Sequence, residues 1–184
     1  MCTINNERYQ SALKRNANEI GRALLELKAL ESLEQADTYH GMDFIRLSYD
    51  ALFNDYIAHA IKVFEDSDVS SFWYLKRCKE KEVLSFCSEN NIDLSSFEKV
   101  KDALRKIRNK THFHMDRQYV KECTKAWKDA DLKGIDLASA LEKVWKIVNY
   151  LYNLEFDEYF NLPSYDGKDA MEAAKHVQKY NYNF

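Results

Sequence analysis

The sequence predicts an all-α protein, a bundle of about five main helices in one domain. The chain has only four glycines and one proline in 184 residues, so it has few residues suited to the tight turns of a β-rich fold. Apolar residues make up 46% of the chain, which is enough for one core, and they recur at steps of three and four. We therefore expect long helices joined by short polar loops.

The overall charge is slightly negative, at −3 with an isoelectric point near 6.0. This excludes a uniformly basic surface for nucleic acid but allows a local basic patch. The four cysteines form no C-x-x-C pair and residues 1–14 lack an apolar stretch, so we expect a cytoplasmic protein with reduced thiols. No apolar run approaches the roughly 18 residues of a membrane span, so no membrane partner is expected.

The first two predicted helices are long. Apolar residues at steps of three, four and seven predict a helix from Asn5 to about Gln35, with Glu19 and Glu26 outside its apolar stripe. The second helix, from about Asp43 to Glu65, is apolar on more than one face, and we expect it to be the most buried element. Its polar residues that could line a cleft are Asp50, Asn54 and His59. Buried polar groups that satisfy each other are the commoner arrangement.

Two further helices lead to the basic part of the chain. The third is expected from Phe72 to Ser88, capped by Ser70 or Ser71. The fourth begins at Ser95 or Ser96 and ends near Lys110.

The C-terminal half predicts one more long helix. It runs from about Leu137 to Phe160 and stops at Leu162-Pro163. Residues 118–134 allow a short helix, and residues 164–184 form an appendage with a helix near 169–179. The domain spans residues 1–184, with its core at about 10–160.

The stretch from Lys99 to Arg117 is the predicted functional site. It ends in Arg108-Asn109-Lys110-Thr111-His112-Phe113-His114-Met115-Asp116, which combines a guanidinium, an amide, two imidazoles and a carboxylate. The basic residues along it are Lys99, Lys101, Arg105, Lys106, Arg108 and Lys110. A solvated helix face that ends in two exposed histidines is the structural alternative.

Two chemical interpretations of this stretch differ in whether they need a metal. The His112-x-His114-x-Asp116 spacing is seen in metallo-β-lactamase-type hydrolases, but those sites follow a β-strand and need further ligands. We therefore expect no metal there. Alternatively, a helix that ends near Lys110 can turn His114 back toward Arg108, and the sequence leaves open whether His112 or His114 is the working imidazole.

The same residues resemble the signature of the HEPN superfamily of all-helical domains. That signature is an arginine followed by asparagine, then a histidine four to six residues later at the end of a bundle helix. Asp116, the segment 44–57 and Val63-Phe64-Glu65-Asp66 are similar to the abortive-infection-associated HEPN subfamily. The resemblance covers roughly residues 10–160.

The resemblance implies a metal-independent endoribonuclease or RNA-binding protein of a prokaryotic phage-defence or toxin–antitoxin system. It implies a homodimer, an RNA substrate, no cofactor and an antitoxin protein as a further partner. The implied catalytic residues are Arg108, Asn109 and His114, the RNA-binding residues are Arg105, Lys106 and Lys110, and the secondary candidates are His112 and Asp116. The alternative is a catalytically inactive HEPN-like module for nucleotide binding or dimerisation.

One departure from the HEPN toxins that pair with a nucleotidyltransferase antitoxin bears on regulation. In those toxins a tyrosine lies two residues after the histidine, whereas this chain has Asp116 at that position. Control by modification of that tyrosine is therefore not expected. A carboxylate beside the histidine could instead orient it or repel RNA.

Overall fold

The computed structural model describes residues 6–35, 43–66, 70–109, 125–162 and 164–181, and its regular elements there are eight α-helices. The helices are α1 (Asn6–Gln35), α2 (Asp43–Phe64), α3 (Phe72–Cys78), α4 (Glu80–Glu89), α5 (Ser95–Ile107), α6 (Lys125–Ala130), α7 (Gly134–Phe156) and α8 (Lys168–Asn181). The all-α prediction is confirmed, whereas the described part of the chain has eight helices rather than about five. None of these helices is long and apolar enough to cross a lipid bilayer.

The main core forms around α1, which contacts α2, α3, α7 and α8. The apolar stripe predicted for α1 is buried as expected, with Leu13 and Ile20 inaccessible to solvent. From α2 and α7 the core receives Ile57, Phe64 and Leu141. Three helices therefore share one apolar centre, and α1 supplies the surface on which the other two pack.

The prediction that α2 is the most buried element is wrong for its N-terminal half. Phe44 and Leu47 are 77% and 63% exposed, whereas the residues from Tyr56 onward are mostly buried. The C-terminal half is covered by α1, α3 and α5, while Ile45 packs in a small separate core with Leu33 of α1 and Ala174 of α8. A helix that is apolar on several faces is buried only where it has neighbours on those faces.

The single helix predicted for Phe72 to Ser88 is divided at Lys79 into α3 and α4. Lys79 leaves the helical conformation, with φ −130° and ψ 50°. The break lets the two segments pack on different partners, since α3 contacts α1 and α2 whereas α4 contacts α7. Phe86 of α4 stacks on Tyr150 of α7 with ring centroids 4.6 Å apart. The predicted cap of Ser71 is present, because its Oγ accepts a hydrogen bond from the Tyr74 N–H.

Helix α7 ends at Phe156, earlier than the expected stop at Leu162-Pro163. Asp157 adopts the left-handed conformation, with φ 55° and ψ 28°, and its N–H donates to the Asn153 carbonyl. This is a common way to end a helix, and aspartate tolerates it better than most residues. The chain then turns back so that Phe160 packs on Trp145 and Tyr152.

Candidate functional site

The end of α5 positions the predicted site. Asp93 organises the start of this helix, accepting hydrogen bonds from the Ser95 N–H and Oγ at 2.8 and 2.6 Å. The predicted start of this helix at Ser95 or Ser96 is confirmed, since α5 begins at Ser95, and Leu94 occupies the cap position without a side-chain hydrogen bond. At the other end the α-helix stops at Ile107, and Arg108 and Asn109 form a wider, π-type turn.

Arg108 is anchored at the junction of α2 and α5. Its Nη1 donates to the carboxylate of Glu65, which directly follows α2. Its Nε donates to Oδ1 of Asn109 at 3.1 Å. The side chains of Arg108 and Glu65 are each 26% exposed, so the guanidinium is oriented by two partners and still reaches the surface.

Two further basic residues line up with Arg108 along α5. Lys101, Arg105 and Arg108 are spaced by four and three residues, which places them on one face of a helix, and all three line a small crevice beside Glu65. Lys101 also pairs with Glu98 and lies over the Trp73 ring. Lys106 is exposed on another side of α5, roughly 160° from Arg108 by helical geometry. We call Lys101, Arg105 and Arg108 the basic ridge.

The other residues predicted for this site lie outside the described residues. They are Lys110, His112, His114 and Asp116. The predicted meeting of Arg108 with a histidine therefore stays a prediction. Among the sequence-predicted residues, the structure brings together Arg108, Asn109 and Arg105.

A second cluster of polar side chains lies between α1 and α2. Glu19 and Glu26 are spaced by seven residues on α1, and Asp55, His59 and Lys62 by four and three on α2, so each set shares a helix face. Instead of facing solvent, Glu19 and Glu26 turn toward α2, and each side chain is only 15% exposed. We call these five residues the His59 cluster.

His59 is at the centre of this cluster and is 2% exposed. Its Nδ1 lies 2.5 Å from Oε2 of Glu19, which also accepts a hydrogen bond from Lys62 Nζ at 3.2 Å. Its Nε2 faces Glu26 Oε1 at 3.6 Å and Asp55 Oδ2 at 3.7 Å, too far for hydrogen bonds. The other Glu26 oxygen, Oε2, is buried and lacks a hydrogen-bond partner in the described residues.

The two glutamates of the cluster titrate in opposite directions. Burial raises the pKa of Glu26 to about 8, helped by its hydrogen bond with Asp55 and by the charge of that residue. Burial also acts to raise the pKa of Glu19, but hydrogen bonds from His59 and Lys62 outweigh it and lower the pKa. Near neutral pH, Glu19 is therefore an anion, whereas Glu26 keeps its proton for most of the time in the metal-free protein.

The sequence singles out His59 as a residue that could line a cleft but indicates no role for the carboxylates beside it. Asp55 and His59 at i and i+4 could have been noticed as one face of α2, but an aspartate and a histidine one turn apart are common on helices. Glu19 and Glu26 carry no such signal, because only the packing angle of α1 on α2 brings them to His59. The cluster is a tertiary feature.

Comparisons of the chain with profiles of known protein families, with curated proteins and with solved structures find no match. Functional inference therefore depends on the residues of the Arg108 region and the His59 cluster themselves. The Arg108 region is the one whose sequence resembles a known catalytic motif. The His59 cluster is the one whose residues all lie in the described part of the chain.

Proposed function

We propose that this protein is an RNA-directed helical domain of HEPN type that cleaves RNA without a metal, with Arg108 as its phosphate-binding residue. The observation that carries the proposal is the anchoring of Arg108 between Glu65 and Asn109 at the end of α5. An arginine held in this way loses little conformational freedom when it binds an anion, so its guanidinium is ready for a phosphate.

The chemistry of RNA suits these residue types. The 2′-hydroxyl is an internal nucleophile, so cleavage needs a base for its proton, an acid for the leaving 5′-oxygen and a cation for the phosphate. In the proposal Arg108 is the cation and His114 or His112 transfers the protons. A guanidinium has five N–H groups, and the hydrogen bonds to Glu65 and Asn109 use two of them.

The basic ridge supports an RNA partner rather than a neutral one. Arg105 is exposed, one turn before Arg108 on the same face of α5, and both residues line the crevice beside Glu65. Successive cations along a helix can contact successive phosphates of a nucleic-acid backbone. Lys110 stays a proposed RNA-binding residue, whereas Lys106, on another side of α5, could contact RNA only away from the basic ridge. A homodimer would present two such ridges.

The test is RNA cleavage in excess chelator by the purified chain and by Arg108→Ala. The expected result is cleavage that leaves 2′,3′-cyclic phosphate ends and falls by roughly 100-fold or more in the variant, because the developing phosphate charge loses its partner. Arg46→Ala is the matched control, since Arg46 is an exposed arginine in the first turn of α2, at the far end from Glu65. It should keep full activity.

The ion pair of Arg108 with Glu65 also favours the inactive alternative, in which Arg108 joins α2 to α5. An inactive module should leave a broad RNA panel intact, and Arg108→Ala should then lower thermal stability only. Circular dichroism of each variant separates loss of fold from loss of chemistry. Equal cleavage by Arg108→Ala and the folded parent chain would contradict the assignment of Arg108.

A further inference from the structure

In the His59 cluster, one imidazole nitrogen and two carboxylate groups face one point between α1 and α2. Nδ1 of His59 lies 2.5 Å from Glu19, and the tautomer that donates from Nδ1 to this carboxylate directs the Nε2 lone pair to the other side. On that side are carboxylate oxygens of Glu26 and Asp55. The ligand atoms of Glu26, Asp55 and His59 all lie within 4.8 Å of one another.

We propose that Glu26, Asp55 and His59 form a binding site for a divalent transition-metal ion, with Zn²⁺ as the best-matched ion. The site is independent of the proposed ribonuclease chemistry and uses none of its residues. It lies between α1 and α2, so a bound ion would link the two helices.

The distances suit an ion placed between the three groups. Zinc binds histidine nitrogen and carboxylate oxygen at about 2.0 to 2.2 Å, so two ligand atoms in tetrahedral coordination are about 3.4 Å apart. The separations of 3.6 Å and 3.7 Å from Nε2 to Glu26 and Asp55 are close to this value. Shifts of a few tenths of an ångström would bring both carboxylates to the separation from Nε2 that coordination requires.

The charges also balance around such an ion. Two ionised carboxylates, Glu26 and Asp55, offset the double positive charge, while Glu19 is paired with Lys62 Nζ at 3.2 Å. Glu19 therefore acts as a positioning residue, since a carboxylate on the far nitrogen fixes the ring and makes Nε2 a better ligand. The unpartnered Glu26 oxygen, Oε2, offers a second ligand atom or an acceptor for metal-bound water.

The three proposed ligands differ in how far their side chains are exposed to solvent. The side chain of His59 is 3% exposed and that of Glu26 15%, whereas the side chain of Asp55 is 64% exposed. An ion could therefore enter past Asp55 and keep a water molecule on that side. Three protein ligands with one open position are typical of zinc sites that do chemistry rather than of closed structural sites.

The test is isothermal titration of the chelator-treated full chain with Zn²⁺, followed by the same titration of Asp55→Asn. The expected result is one strongly bound Zn²⁺ per chain, with affinity lowered roughly tenfold or more in Asp55→Asn. Asp55 is exposed, so this substitution should leave the fold intact. Asp50→Asn is the matched control, because Asp50 is an exposed aspartate of the same helix, and it should bind as the parent chain does.

Three further variants separate this site from the other sequence motif with metal-ligand spacing. The double substitution His112→Gln and His114→Gln should keep the strong Zn²⁺ site, whereas Glu26→Gln should weaken it. Glu19→Gln should lower affinity by roughly 10- to 100-fold, as expected for a residue that positions a ligand.

Three outcomes would overturn the proposal. If the parent chain binds no Zn²⁺, the cluster is a polar contact between α1 and α2 rather than a metal site. If Asp55→Asn and Glu26→Gln bind like the parent, the ligands are elsewhere. If the double histidine substitution removes the strong site, the metal belongs to the His112-x-His114-x-Asp116 motif.

Discussion

Glu26 makes the stability of the folded protein depend on pH, through its place in the contact between α1 and α2. Its pKa is raised to about 8 by burial first and by Asp55 second, so the folded metal-free protein favours the neutral acid. In the unfolded chain the group ionises near its ordinary value of 4.5. Stability contributed by the bound proton is therefore complete below about 4.5 and is lost progressively as the pH rises toward 8.

Substitution of Glu26 by glutamine should prevent this loss of stability at high pH. In excess chelator, Glu26→Gln and the parent chain should have similar free energies of unfolding at pH 4.5, and the variant should be the more stable at pH 9. The neutral amide removes the cost of a buried charge and can donate to Asp55. Denaturant unfolding across this pH range measures the difference.

Glu142→Gln is the control for the pH series, because Glu142 is exposed on α7. It should give a difference from the parent that does not change with pH. If Glu26→Gln instead became less stable than the parent chain as the pH rises toward 9, the carboxylate would be needed in its charged form.

Some residues of the candidate sites could be recognised from the sequence, and others could not. Arg108 and Asn109 could be singled out because their motif is local and lies at a helix end. Glu65 as the partner of Arg108 could not, since the pair joins residues 43 positions apart. The same reason hides Glu19 and Glu26, whose roles depend on the contact between two helices.

The ends of the helices show which local signals decide an element. Asp43 begins α2 and Gln35 ends α1 as predicted, because the apolar periodicity of the sequence is interrupted between them. Lys79 and Asp157 end their helices without a proline or glycine to mark the place. In both cases packing on α7 and its neighbours outweighs the local preference to continue a helix. A single sequence does not show directly where such packing occurs.

The left-handed conformation of Asp157 leads to a prediction about α7. Asp157→Gly should raise the free energy of unfolding by about 0.5 kcal/mol, because glycine reaches a φ of 55° without the crowding that an L side chain causes. The gain is limited by the extra freedom of glycine in the unfolded chain. Thermal and denaturant unfolding measure it.

Glu142→Gly is the matched control in the interior of α7, where glycine should lower stability by about 0.5 to 1 kcal/mol. Opposite signs for the two glycine substitutions are the expected pattern. Loss of stability in Asp157→Gly would mean that contacts of the aspartate side chain matter more than its backbone conformation.

The whole molecule consists of one large core and one small one. The large core joins residues of α1 to α7, whereas the small one contains Leu33, Ile45 and Ala174 and holds α8 on α1 and α2. The sequence predicted the fold class and the C-terminal appendage with a helix, because both follow from composition and periodicity. It did not predict where α8 docks, since that depends on a few contacts distant along the chain.

Gly167 makes this docking possible. It precedes α8 with φ +74°, and a Cβ atom added there would overlap Ser32 Oγ and lie 2.9 Å from Ser32 Cβ and 3.1 Å from the Lys28 carbonyl. Ser32 is itself fixed by a hydrogen bond from its Oγ to that carbonyl at 2.8 Å. Close approach of the two backbones and a left-handed φ therefore both require glycine.

Gly167→Ala should detach α8 while leaving the large core folded. We expect faster amide hydrogen exchange in residues 168–176 and little change in α7, because local opening loses the small core alone. Gly134→Ala is the matched control, since a Cβ at Gly134 meets nothing within 4 Å, and it should leave exchange in α8 unchanged. Unaltered exchange in both variants would show that α8 tolerates a shift away from Ser32, whereas a general loss of protection would make α8 part of the cooperative fold rather than an appendage.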